Sequence, residues 1–338
     1  MLKKNINFPI WSIKVFKTNH NLSKQQIDYE FNQPTITALD VSDVSADFIA
    51  DPFIISHNSK FYMFFEVLNR LKARGEIGLA TSSDGENWGY EKIILREDYH
   101  LSYPHVVTFN NEFYMIPESV ESNGVYLYKA KNFPYEWEKV RTMVEGYYFD
   151  ASVFEYDRKW WMLVASPGKL HLYYSDRLDG QWQEHPKSPV IENNHEISRP
   201  AGRVILSNDK LFRFTQDNSN YYGKSVKSFE INELSVTNYK EEEQKVILEG
   251  SNNENDWRKD GMHHIDQLKI SNDEWLIAVD GHTFLQENYI KWKTKRFLRN
   301  PIAVSNRVIR RIINKISSKY CLTILLGVEN ASIMHLGV

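Results

Sequence analysis

Five times along the chain a polar residue leads into an apolar run of strand length, then a short polar turn, then a second run rich in aromatics. The first copy is Ala50-Asp51-Pro52-Phe53-Ile54-Ile55 followed by Lys60-Phe61-Tyr62-Met63-Phe64-Phe65-Glu66. The second is Tyr103-Pro104-His105-Val106-Val107, turning at Asn110-Asn111 into Phe113-Tyr114-Met115-Ile116-Pro117-Glu118. Asp150-Ala151-Ser152-Val153-Phe154, Arg199-Pro200-Ala201-Gly202-Arg203 and His264-Ile265-Asp266-Gln267-Leu268 open the other three. The copies begin near 51, 103, 150, 199 and 264, so the steps are 52, 47, 49 and 65 residues. A period of about 40–50 residues with several strands per copy is the sequence signature of a β-propeller. One blade cannot bury both of its faces, so the copies must pack face to face around an axis.

The pattern therefore predicts an all-β, five-bladed propeller. Third strands follow in Gly78-Leu79-Ala80-Thr81 and Val125-Tyr126-Leu127-Tyr128, and each leads towards a tryptophan turn at Trp88, Trp137 or Trp182. The fifth copy has two strands and then loses the pattern. Near the N-terminus, Trp11-Ser12-Ile13-Lys14-Val15-Phe16 has outer-strand alternation and no blade of its own. Residues 10–40 are therefore expected to complete blade five and close the ring, removing open sheet edges. Tyr239–Glu243 reads as a solvated turn between outer strands, and Ser251–Asp256 as a loop able to act as a lid.

Composition adds limits. The 338 residues are 42% hydrophobic and 14% aromatic, enough for one large β core. The single cysteine, Cys321, excludes an intrachain disulfide and a cysteine metal cage. Met1–Pro9 carries lysines and no long apolar run, which reads as no secretory leader. The net charge of −3 hides an asymmetry: Tyr289–Val338 holds ten Lys or Arg and one acid, so residues 1–288 carry −12. Val304, Val308, Ile309, Ile312, Ile313 and Ile316 form an apolar stripe with Arg307, Arg310, Arg311 and Lys315 opposite. The chain thus divides into a propeller, 1–288, and a basic amphipathic helical tail, 289–338. The tail reads as a segment that lies on an anionic membrane, or as a helix packed on the propeller with its basic face in water. No nucleic-acid-binding module accompanies the charge, so nucleic acid is not an expected partner.

Propeller inner strands start around the axis, so polar residues there converge on one cleft whatever their separation in sequence. These are Asp51, Tyr103 with His105, Asp150, Arg199 with Arg203, and His263, His264 and Asp266. Glu66 and Glu118 end second strands and are expected further out. Burying such groups is unfavourable unless they are paired or used. Structural pairing, for example Arg199 or Arg203 holding Asp150, is one reading, and a binding pocket is the other. Carboxylates facing one cleft are what glycosyl chemistry uses. Asp51 is the first candidate for a base, with Asp150, Asp266 and Glu118 the further catalytic candidates. His105, Arg199, Arg203, His263, His264, Glu66 and Tyr103 are candidates for substrate binding. There is no HExxH motif or tight ligand spacing, so no metal site is expected, and no phosphate-cradling glycine loop occurs.

Residues 40–282 resemble the N-terminal domain of the glucosamine inositolphosphorylceramide transferase family and its stand-alone bacterial relatives. The resemblance rests on Ala50-Asp51-Pro52-Phe53, Tyr103-Pro104-His105 with Ile116-Pro117-Glu118, Asp150-Ala151-Ser152, Arg199-Pro200-Ala201-Gly202-Arg203 and His263-His264-Ile265-Asp266. In the plant members a separate C-terminal domain resembles the transferase proper. A wider similarity is to five-bladed furanosidase-type glycoside hydrolases, whose pattern has Asp in blade I, Asp in blade II and Glu in blade III. Asp51 fits the first position. Blade II offers Ser102-Tyr103-Pro104-His105 with no carboxylate, and blade III offers Asp150.

The resemblance and the departure from the hydrolase triad together imply a glycosyltransferase in cell-surface polysaccharide or glycolipid assembly. Its expected donor is a nucleotide sugar, and its expected acceptor a carbohydrate or glycolipid. Its expected place is the cytoplasmic face of the membrane. A glycoside hydrolase or phosphorylase, and a non-catalytic sugar-binding propeller, remain open as alternatives.

Overall fold

The computed structural model describes residues 5–24 and 33–288. The expected tail, 289–338, lies outside the described residues. Strand β1 (Asn5–Thr18) comes first. Blade I follows as β2 (Ala46–His57), β3 (Lys60–Asn69), β4 (Arg74–Ser82) and β5 (Gly89–Leu95). Blade II is β6 (Ser102–Phe109), β7 (Glu112–Glu118), β8 (Gly124–Asn132) and β9 (Glu136–Glu145). Blade III is β10 (Phe149–Tyr156), β11 (Lys159–Ser166), β12 (Lys169–Ser175) and β13 (Gln183–Glu184). Blade IV is β14 (Arg199–Pro200), β15 (Ile205–Ser207), β16 (Lys210–Asp217), β17 (Ser225–Leu234) and β18 (Tyr239–Glu249). Blade V has β19 (Ile265–Ser271) and β20 (Glu274–Asn288), and its third strand is β1, giving the order β19-β20-β1. Among the described residues the only helix is a 3-10 turn at Val120–Ser122. None is long and apolar enough to cross a membrane.

The fold is thus the expected five-bladed propeller, and the N-terminal strand closes it. Ile13 also bridges to Ile36, adding a fourth rung to blade V. Closure is visible in the packing. Each of the five interfaces between neighbouring blades encloses its own apolar cluster. That between blades V and I is built from Ile13, Val15, Leu276 and Ala278 on one side and Ile49, Ile54, Met63 and Phe65 on the other. Alternation in β1 sends Ile13 and Val15 towards blade I, while Phe16 packs against the cluster between blades IV and V.

The tryptophan turns follow one design. The indole N–H donates to Gly85 O from Trp88 at 3.0 Å, to Pro134 O from Trp137 at 2.8 Å and to Leu178 O from Trp182 at 3.2 Å. Tyr239–Glu243 is not a turn. It begins β18, and the turn lies before it at Ser235–Asn238. Its charge is used: Glu241 accepts from the buried Arg213 of β16, which is 2% exposed. A run of acids on an outer strand reads as solvent-facing until its cation partner is known.

Because Ile13 is fully buried in the closing interface, Ile13→Ala is expected to lower the unfolding free energy by about 2–5 kcal/mol. Urea denaturation followed by tryptophan fluorescence measures this. A variant as stable as the parent would show that β1 does not seal the ring.

Candidate active site

The inner strands of blades I to III carry the same irregularity at the same place. Ala50 pairs Glu66 and Phe53 pairs Phe64, so one extra residue sits between them. The same offset separates Ser102 from His105 and Phe149 from Ser152. At each of these β-bulges one residue has a left-handed backbone: Asp51 at φ 55°, Tyr103 at 45° and Asp150 at 49°. Such a conformation costs a non-glycine residue on the order of 1–3 kcal/mol and persists only where its surroundings impose it. Blade IV departs from this, with Pro200 at the corresponding position and a glycine two residues on. Gly202 has φ +139°, and a Cβ there would lie 1.7 Å from Ile265 O.

The second strands add a companion position. Opposite Ala50, Ser102, Phe149 and Arg199 stand Glu66, Glu118, Ala165 and Gln216. In blade V it is Asp280, whose N–H donates to His264 O at 3.4 Å. Glu66 and Glu118 therefore lie level with the strand starts and not further out. Arg199 donates Nε to Asp150 Oδ2 at 2.6 Å and Nη2 to Glu118 Oε2 at 3.1 Å, and Gln216 Nε2 donates to the same Asp150 oxygen at 2.8 Å. Arg199 thus holds Asp150, as the pairing reading expected, and joins it to Glu118.

Asp51 lies in a second, adjoining group. Its Oδ2 accepts from Tyr103 N at 3.2 Å, and its own N–H donates to Asp280 Oδ2 at 3.0 Å. Its Oδ1 is 3.7 Å from His263 Nε2 and 3.8 Å from His264 Nδ1. Trp11 stacks on His263 with ring centroids 3.9 Å apart. The Arg199 guanidinium lies 5.1 Å from the Phe149 ring and 5.2 Å from that of Tyr222, and Tyr222 is 43% exposed. Acidic groups beneath partly open aromatic rings suit a sugar, which offers hydroxyls at its edge and C–H bonds on its face.

The electrostatics divide the carboxyls. Burial pushes Asp51 well above the usual carboxylate range, and the charges of Asp280, Asp150 and Glu66 add to it. Burial also raises Glu118 well above that range, with the Asp150 charge next. For Asp150, burial acts in the same direction, but the Arg199 charge and hydrogen bond outweigh it and hold the group below its ordinary value. Asp280 is likewise held low against burial by His263. His264 is held down to about 4 by burial, and burial with the Arg203 charge pushes His105 well below its ordinary value.

The other candidates are engaged elsewhere in the axial region. Asp266, fully buried, accepts from Arg203 Nε at 2.9 Å and Nη2 at 3.3 Å, and from Ile54 N at 2.7 Å. Tyr103 is 1% exposed. Its hydroxyl accepts from Gly202 N at 2.6 Å and sits 2.7 Å from Ser152 Oγ. His105, fully buried, stacks on Phe53 at 4.8 Å, and its Nδ1 accepts from Val153 N at 3.2 Å. Glu66 Oε1 is 3.1 Å from His100 Nε2. Sequence reasoning missed Asp280, Gln216, Trp11 and Tyr222. Asp280 and Gln216 occupy the repeat position of Glu66 and Glu118, and that equivalence was the signal that would have found them.

Residues 8–282 match the family described as "Glucosamine inositolphosphorylceramide transferase 1, N-terminal". The chain is 32% identical over 247 residues to glucosamine inositolphosphorylceramide transferase 1 of Oryza sativa subsp. japonica, covering 70% of this chain and 33% of that protein. Against the Arabidopsis thaliana protein of the same name it is 32% identical over 295 residues, covering 80% and 39%. The chain therefore spans between a third and two fifths of the length of these relatives. In fold it is similar to the catalytic domain of the Coprinopsis cinerea GH62 α-L-arabinofuranosidase, with a TM-score of 0.54, 12% identity, and coverage of 80% of this chain and 98% of that one.

Arg203→Met leaves the Asp266 carboxylate buried without its cation, a situation that costs about 3–5 kcal/mol. The variant is expected to melt well below the parent, and adding Asp266→Asn is expected to recover part of the loss. Additive effects in that double-mutant cycle would show that the pair is not coupled.

Proposed function

The chain belongs to the family of the N-terminal domain of glucosamine inositolphosphorylceramide transferase 1, and on that premise we propose that its axial cleft transfers a sugar to a carbohydrate or glycolipid acceptor. The observation that carries this reading is two carboxyl groups on one arginine with their proton affinities driven apart, Asp150 held below its ordinary value and Glu118 pushed well above it. Pairs of that kind are how a neutral-pH site supplies an acid and an anion side by side. In the transfer, the Asp150 carboxylate stabilises positive charge developing at the sugar carbon, and Glu118 gives a proton to the departing oxygen. Asp51 is the candidate base for the acceptor hydroxyl. The proposed donor is a nucleotide sugar. Water in place of the acceptor would make the same cleft a hydrolase, and binding without turnover would make it a lectin-like module.

The proposed setting is an anionic membrane surface. The residues from 289 onwards carry ten cations and one acid, while the first 288 carry a net −12, so a local basic anchor would have to offset repulsion of the body.

Incubation of the full chain with nucleotide sugars and glycolipid acceptors tests the reading. A glycosylated acceptor is expected, with no sugar released when the nucleotide donor is left out. Release of sugar from glycans without a donor would instead establish a hydrolase. Glu118 works protonated, so activity should fall as pH rises through its elevated pKa. Glu118→Gln should remove that basic limb and lower turnover by about 10²-fold or more. An unchanged pH profile in Glu118→Gln would exclude it as the acid. The membrane setting is tested separately. The full chain should co-sediment with anionic vesicles and not neutral ones, and added salt should release it. Equal sedimentation with both would rule out an electrostatic anchor.

A further inference from the structure

His263 and His264 present their ring nitrogens to Asp51 in an arrangement that hydrogen bonding leaves unresolved. His263 Nδ1 is 2.8 Å from Asp280 Oδ1, a carboxylate oxygen that can only accept, so Nδ1 carries the ring proton and Nε2 carries a lone pair. His264 Nε2 is 3.0 Å from Pro52 O, also an acceptor, so here Nε2 is protonated and Nδ1 bears the lone pair. Nε2 of His263 lies 3.7 Å, and Nδ1 of His264 3.8 Å, from the same Asp51 Oδ1. Two ring nitrogens bearing lone pairs thus face the same carboxylate oxygen. His264 Nδ1 is buried there with no hydrogen-bond partner, on a side chain that is fully buried. A proton on Asp51 could bridge at most one of the two gaps, and both are too long for a hydrogen bond.

A metal ion answers all three. Ligand atoms at about 2.0–2.2 Å from a common cation stand apart by distances of this order. We propose that His263 Nε2, His264 Nδ1 and Asp51 Oδ1 form a binding site for a divalent transition-metal cation; with the cation bound Asp51 is a ligand, and its role as base belongs to the metal-free chain. Asp280 is its outer support rather than a ligand. Its Oδ1 accepts from His263 Nδ1, His263 N at 3.2 Å and His264 N at 3.0 Å, and its Oδ2 accepts from Asp51 N. One carboxylate therefore fixes the backbone of all three ligands and the tautomer of one, the arrangement found behind metal-bound histidines. Trp11, stacked on His263, holds that ring from the side. Two imidazoles and one carboxylate favour zinc, manganese or iron(II) over calcium and magnesium, which take oxygen ligands. Positions 51, 263 and 264 have no motif spacing, since they come from opposite ends of the repeat series and meet only through closure.

The test uses the cation alone and so does not depend on the identity of any sugar. The chelator-treated full chain is titrated calorimetrically with Zn²⁺, Mn²⁺ and Ca²⁺. Saturable binding of one equivalent of Zn²⁺ or Mn²⁺ is expected, with Ca²⁺ at least about tenfold weaker. His264→Gln keeps a donor where Nε2 stood and removes the lone pair of Nδ1, and it should weaken binding by about tenfold or more. X-ray absorption of the zinc-loaded parent chain, which needs no variant to fold, should report two imidazole ligands. No saturable binding of either metal, undiminished binding in His264→Gln, or a zinc environment without two imidazoles would overturn the proposal. Sugar transfer failing in the chelator-treated chain, while that chain takes up the metal, would reject the proposed function and leave this site standing.

Discussion

The guanidinium of Arg203 holds the propeller together at its axis. From the start of blade IV it donates to Asp266 of blade V, to Val106 O of blade II at 3.1 Å and to Ile54 O of blade I at 3.2 Å. Asp266 in turn accepts Ile54 N. Where inner strands converge, their backbone groups lose water and can no longer all pair along a ladder, so each must find another partner. A planar fork with five donors does this for several strands at once, which a lysine could not. The exchange is safe only because the opposing carboxylate is present, since either charge alone would be stranded in a dry interior.

Around that tie the chain accepts strain in order to aim side chains. The three left-handed residues at Asp51, Tyr103 and Asp150 sit at the same bulge of successive blades and perform different tasks. Asp51 faces the histidines, Asp150 faces Arg199, and Tyr103 reaches across to Gly202 of blade IV. A bulge turns one residue out of the alternation of its strand, so a repeated bulge delivers one side chain per blade to a common place. The need for a left-handed backbone recurs because the backbone geometry repeats, while the residue that fills it is free to change with function.

The axial carboxyls also show how one fold separates like groups. Asp150 and Glu118 share Arg199, yet the Arg199 charge and hydrogen bond hold Asp150 below its ordinary value against burial, while burial and then the Asp150 charge push Glu118 well above it.

The sequence by itself determined the blades. Alternation, polar turns and the tryptophan corners are local, and five repetitions of a local pattern leave little choice of architecture. It also determined closure, because blade V lacked an outer strand and Trp11–Phe16 had nowhere else to pair. It located the axial residues, since strand starts converge by symmetry. The tertiary structure decided their partners. Whether Arg199 or Arg203 held Asp150, and that Glu118 joined them, depended on side chains reaching across blades 81 and 49 positions apart in the chain. Asp280 was invisible for a related reason: its carboxylate matters only through four donors on residues 51, 263 and 264, which no local pattern connects. Tyr239–Glu243 was misread because a row of acids carries no mark of the buried Arg213 that it faces. Periodicity is written along the chain, whereas pairing is written between strands that only the closed ring brings together.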